Sequence, residues 1–195
     1  MTTRAWMDDS TKLFLACVDR LTDDGFGAST RLPGWSRAHV VAHVHHNAEA
    51  LQRLLHWART GERTPMYAGI EQRNAEIETS AGREPAELRR RVRASADDLA
   101  VAIDDLPEAA LANEVETAQG RTVPATEVLW MRTREVAVHA VDLDVGMTFA
   151  DLPDDLNTAL AVDVVRKRGA GGEAALLAQW LTGRSVDVPA LGPWL

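Results

Sequence analysis

The sequence predicts a mainly α-helical protein. Residues 1–146 read as a four-helix bundle, and residues 147–195 as a short C-terminal extension of α/β type. Three observations predict this. Apolar residues recur at three- and four-residue intervals through several long stretches. Gly, Pro and Asp punctuate the joints between those stretches. Past Asp144 the character changes to shorter apolar runs, with Gly and Pro near the end. The chain has 195 residues and is 46% hydrophobic, enough for one full core plus a small appendage.

The elements follow in order. Residues 4–22 carry an amphipathic pattern and stop at DDGFG. LPGW at 32–35 is a turn into a long helix over 36–59, with Ser36 at the N-cap. TGERTP is a loop. A helix over 68–80 ends near Gly82, and another over 84–105 opens with Pro85 in its first turn. The stretch 112–123, containing AQGR, breaks the helical period and reads as a short hairpin or a loop. Pro124 and Thr126 open a helix over 125–143. A further helix over 153–168 meets GAGG at 169–172, a flexible joint, before the tail AALLAQWLTGRSVDVPALGPWL.

Charge and cysteine usage exclude some classes. The net charge of −8 disfavours nonspecific attraction to nucleic acid or anionic membrane. The one basic run, LRRRVR at 88–93, lies among Glu84, Glu87, Asp97 and Asp98 and reads as a solvated helix face. No apolar stretch approaches the roughly 18 residues of a membrane span, and MTTRAWMDDS lacks a signal-peptide core. Cys17, the only cysteine, falls among apolar residues at helical spacing and reads as buried filler; a lone cysteine suits a reducing cytoplasm.

The chemistry concentrates in two segments. WSRAHVVAHVHHNAEAL, at 35–51, holds four of the six histidines within eight positions. On a helix His39, His43 and His46 fall within about a hundred degrees, while His45 points away. His43 is central, on the stripe with Asn47, Ala50 and Leu54; the others read as hydrogen-bonded core or rim residues. In REVAVHAVDLD, Glu135, His139 and Asp142 share a face with Val128, Met131 and Val138. Ionisable groups on a buried stripe are costly unless paired or metal-bound. Glu135 and His139 at i, i+4 make either a hydrogen-bonded pair or two ligands for one ion. With His43 they form a two-imidazole, one-carboxylate set that suits zinc and leaves a position open. The same set resembles the facial arrangement of non-haem Fe(II) sites, so ligand type alone does not name the metal. Asp142 serves either as an acceptor orienting a ligand or as half of a surface ion pair.

LPGWSRAHVVAHVHHNAEAL followed by WMRTREVAVHAVDLD resembles the two signature segments of the thiol-dependent maleylpyruvate isomerase family, within the DinB-like metalloenzyme superfamily. QWLTGR…PALGPWL resembles the end of that family's C-terminal region. The ordered set of Trp35, His43, Glu135, His139 and WLTGR carries the resemblance. It implies a DinB-like four-helix bundle with Zn2+ on His43, Glu135 and His139. It also implies a low-molecular-weight thiol cofactor, mycothiol or ergothioneine. The implied reaction is conversion of maleylpyruvate to fumarylpyruvate in gentisate breakdown, by reversible thiolate addition, bond rotation and elimination. Arg184 of WLTGR is then the expected grip on a substrate carboxylate. Trp35 and Asn47 are the candidates for contact with the thiol, Trp35 alternatively packing at the start of its helix. Residues 147–195 are expected to complete the substrate pocket. The family pattern carries a larger region after the bundle, so a second subunit is the other way to complete it. The expected partners are a small dicarboxylate and the thiol, with neither nucleic acid nor membrane, in a monomer or homodimer. Two rival readings are a DinB-like thiol S-transferase and a metal-stabilised binding or regulatory module.

Overall fold

The computed structural model describes residues 2–185 and 187. The chain divides into two compact units, Met1–Thr148 and Phe149–Leu195. Among the described residues no helix is long and apolar enough to cross a membrane.

The first unit is built on α1 (Thr3–Arg20), α2 (Arg37–Thr60), α3 (Ile70–Ala81), α4 (Pro85–Asp104) and α5 (Glu127–Asp142). Thr2 caps α1 by accepting the Ala5 N–H, and Met7, Phe14, Cys17 and Val18 form its buried stripe. Cys17 is buried, its sulfur 3.5 Å from that of Met147. α2 is the central element: α3, α4 and α5 all pack on it, while α1 packs chiefly on α5. It is almost wholly buried through its middle, with Leu51 and Leu54 fully excluded from solvent. Each such leucine is worth about 2 kcal/mol of burial. α2 ends where Gly61 adopts φ 77°, a left-handed cap that a side chain would strain.

In α4 the basic run separates as its spacing predicts. Leu88 and Val92 face the core, while Arg89, Arg91 and Arg93 pair with Asp23, Glu87 and Asp19. The stretch that broke the helical period is a hairpin. β1 (Glu114–Glu116) pairs antiparallel with β2 (Thr122–Pro124), opposing Val115 to Val123. The two valines are buried in the same cluster as Leu51, Leu54 and Val128, and the polar neighbours face out. Gly120, at φ 74°, turns the chain between the strands.

The second unit contains α6 (Asp154–Arg168) and α7 (Ala174–Leu181). Asp154 and Asp155 open α6, and Arg166, Lys167 and Arg168 close it, as the helix dipole favours. The predicted GAGG joint is a π-helical turn over Gly169–Glu173, kinked at Gly172 with φ 99° and bridged by an Arg168–Glu173 ion pair of 3.0 Å. The described residues here are helical, and the strand component expected of this extension is not among them. PALGPWL, the last part of the tail motif, lies outside the described residues.

Candidate metal centre

His43, two turns into α2, meets Glu135 and His139 from the buried face of α5. His43 Nε2 lies 2.8 Å from Glu135 Oε2, a contact that spans 92 residues of sequence. His139 Nε2 is 3.5 Å from the same oxygen. The two imidazoles stand edge to face, with centroids 4.9 Å apart. All three residues are buried, and one donor atom from each lies within 4.8 Å of the others. Arg132 fixes the approach of the two helices. Its buried guanidinium donates to the Val44 carbonyl at 2.8 Å and to Asn47 Oδ1 at 3.0 Å. Burial pushes that guanidinium down only to about 10, so it stays charged.

The charge states follow from burial set against partners. Burial alone would raise the Glu135 carboxyl, but His139 and His43 outweigh it and hold it well below the usual carboxylate range. For His139 burial opposes the charge, yet Asp142 and then Glu135 overcome it and raise the imidazole to about 9. His43 is lowered by burial despite Glu135. The cluster thus holds one carboxylate and one imidazolium, with His43 neutral. Arg73, on α3, donates from Nη2 to His43 Nδ1 at 3.2 Å. That makes Nδ1 the acceptor and Nε2–H the donor to Glu135.

The donor set passes a test for a metal. His139 Nε2 is buried without a hydrogen-bond partner, while Nδ1 is held by Asp142 Oδ2 at 2.8 Å. An imidazole anchored through one nitrogen, with the other bare and aimed at Glu135 and His43, has the form of a ligand with its orienting carboxylate. Two imidazoles and one carboxylate fit zinc with a fourth position open.

The other predicted residues have distinct places. The half-buried Trp35 ring packs 5.3 Å from His43, tilted 57°, and stacks 6.4 Å from His39. Asn47 is buried, and its side-chain oxygen is taken by Arg132, which makes it part of the α2–α5 clamp. Asp142 lies against His139 Nδ1, the contact that its orienting reading expects. His39 caps α2: Nδ1 accepts the Ser36 N–H at 3.2 Å and Nε2 lies 3.0 Å from Glu78. His46 turns away from the triad to Glu49 and Ser80. His45 departs from its expectation. It is buried, but neither ring nitrogen has a hydrogen-bond partner; burial lowers it to about 4. Arg184 belongs to the C-terminal unit, where its exposed guanidinium donates to the Thr182 carbonyl after α7.

Sequence reasoning missed Arg73 and Tyr67. Arg73 lies 5.8 Å over the Tyr67 ring, and both line a cavity of about 270 Å³. Nothing in IEQRNAEIETSA distinguishes this arginine from other exposed helix cations. A larger hollow of about 570 Å³ lies elsewhere, beside Glu49 and Arg53, and does not touch the triad.

The family model described as "Mycothiol maleylpyruvate isomerase N-terminal domain" matches residues 7–144, a span that holds every member of the triad. A crystal structure of the mycothiol-dependent maleylpyruvate isomerase superposes with a TM-score of 0.82 at 43% identity, covering 84% of this chain and 68% of that one. A histidine-to-alanine mutant of that isomerase gives a TM-score of 0.81 at 42% identity with the same coverage. No curated protein sequence matches the chain. With its bundle, its ordered motifs and a match over 7–144, the chain belongs to the mycothiol maleylpyruvate isomerase N-terminal domain family.

Proposed function

We propose that the chain is a zinc-dependent isomerase that uses mycothiol to convert maleylpyruvate to fumarylpyruvate, with His43, Glu135 and His139 as the metal ligands. One observation carries the reading: three buried donors from two helices converge within 4.8 Å, and one of them, His139 Nε2, has no other partner. The family supports the thiol and the substrate. When bound, the ion and the thiol supply a sulfur nucleophile of lowered pKa, whose reversible addition to the activated alkene lets the central bond rotate.

The chain's own residues account for the rest. Asp142 holds His139 in one tautomer and one ring orientation. Trp35 walls the His43 side of the site. Arg73 has a conditional role. A His43 that offers Nε2 to an ion carries its proton on Nδ1 and no longer accepts from Arg73, so the guanidinium is released beside the site to grip a substrate carboxylate. The substrate is a dianion, and the WLTGR motif supports Arg184 as a partner for a substrate carboxylate.

The test is to incubate the zinc-loaded chain with maleylpyruvate and substoichiometric mycothiol. Turnover to the trans isomer with the thiol recovered is expected. Thiol consumed in step with substrate would make the protein an S-transferase instead. Replacing Arg73 by alanine is expected to raise KM about tenfold or more, the worth of a charged hydrogen bond, with metal content unchanged.

A further inference from the structure

We propose that His45, His46 and Glu49 form a second binding site for a divalent transition-metal ion, separate from the triad and supplied wholly by one turn of α2. The two oxygens of Glu49 each address one imidazole: Oε2 lies 3.0 Å from His46 Nδ1, and Oε1 lies 3.6 Å from His45 Nε2. The rings converge to 4.6 Å between centroids, and one donor atom from each of the three residues falls within 4.8 Å of the others.

An independent observation points to a ligand. His45 is only 5% exposed, and neither of its nitrogens has a hydrogen-bond partner, although Glu49 lies one helical turn away. A buried imidazole left bare on both nitrogens is unusual, because buried polar groups are almost always satisfied. At 3.6 Å the Glu49 carboxylate is too far to hydrogen-bond it, yet it stands where an ion could bridge the two. His46 is already oriented from behind, with Nε2 2.9 Å from Ser80 Oγ on α3. Access is open on the carboxylate side: the Glu49 side chain is 42% exposed and lines the hollow of about 570 Å³. Two imidazoles and one carboxylate select borderline metals such as zinc, nickel and copper over magnesium or calcium.

The test uses the full-length, tag-free chain, stripped with a chelator, loaded with Zn2+, freed of excess by dialysis and analysed for metal. Two ions per wild-type chain are expected. Glu49→Gln should lose one of them, or bind it at least ten times more weakly, and keep isomerase turnover. Glu135→Gln should lose the other, and the double variant both. An ion that disappears with Glu49→Gln supports the second site even if the triad binds nothing. An ion content unchanged by Glu49→Gln overturns it, as does a single wild-type ion that Glu135→Gln abolishes. Should Glu49→Gln fail to fold, Cu2+ titration of the Glu135→Gln chain decides. Paramagnetic resonance showing imidazole nitrogen coupling that a His45→Ala change removes supports the site, and coupling unmoved by that change, or the spectrum of aqueous Cu2+ alone, refutes it.

Discussion

Two histidine clusters share α2 and are built in opposite ways. The triad takes one residue from α2 and two from α5, and closes a contact across 92 residues of sequence. The His45–His46–Glu49 cluster takes all three residues from one helical turn. The first therefore exists only when the tertiary fold does. Its geometry rests on Arg132, which ties α5 to the Val44 carbonyl one residue from His43. The second needs little beyond a formed helix and Ser80 at its back. Residues two positions apart on one helix thus serve different neighbours, because a two-residue step turns the side chain through about 200°. A dense histidine run is therefore two local environments.

Glu135 tells the two clusters apart most strongly, its carboxylate being hydrogen-bonded to one imidazole of the triad and close to the other. Glu135→Gln keeps the shape but removes the charge. Changes to residues that merely orient ligands cost about 10- to 100-fold in metal affinity or activity, so loss of a ligand should cost at least about 100-fold in turnover and strip the ion from the triad. Metal analysis beside the turnover assay checks this. Helicity by circular dichroism should hold, because the α2 core around Leu51 and Leu54 does not depend on the triad.

Most of the triad was legible because its signal is local. Glu135, His139 and Asp142 announce themselves as ionisable groups at i, i+4 and i+7 on an otherwise apolar stripe, and a bundle must pair or ligate such groups. His43 was legible for the same reason, as the histidine central to its stripe. Arg73 was not. It becomes a site residue only because α3 packs against α2 and brings a guanidinium to His43 Nδ1, and no periodicity in α3 encodes that approach. Asn47 shows the converse. Its place on the His43 stripe made it a candidate for the cofactor, but Arg132, 85 residues further along the chain, occupies its oxygen. The hairpin at 114–124 was half-visible: the lost helical period was plain, but three-residue strands with one inward valine each are too short for alternation to decide between hairpin and loop.

Asp142 touches the triad only through His139. Asp142→Asn should weaken zinc at the triad by about 10- to 100-fold and leave the His45–His46–Glu49 cluster untouched. The metal-free chain gives a second readout. His139 is raised to about 9, above the roughly 6.5 of an unfolded imidazole. A raised imidazole stabilises the fold in full below the unfolded value, and that stability is lost as pH climbs through the folded one. The Tm of the metal-free protein should therefore fall between about pH 6.5 and 9, by an amount worth roughly 3 kcal/mol at most. Asp142→Asn should flatten that fall, because Asp142 is the foremost group holding the proton on His139. A Tm profile identical in the two proteins would assign the proton elsewhere.

The smallest effect belongs to His39, which shares a stripe with His43 and lies outside both clusters. Its Nδ1 accepts the Ser36 N–H at the start of α2, taking the place that glutamate or glutamine holds in a capping box. Its ring stacks with Trp35, which packs in turn on His43. His39→Ala removes the cap and one face of that stack. The cost should be about 1 kcal/mol of stability, the usual worth of an N-terminal cap. Metal content should not change, because His43 is positioned by the packing of α2 on α5, clamped where Arg132 donates to the Val44 carbonyl one residue away. Thermal melts with metal analysis distinguish the two consequences. A variant that loses zinc along with this small stability would mean that the first turn of α2 sets the triad, and that the division between a fold-dependent site and a helix-borne one is drawn in the wrong place.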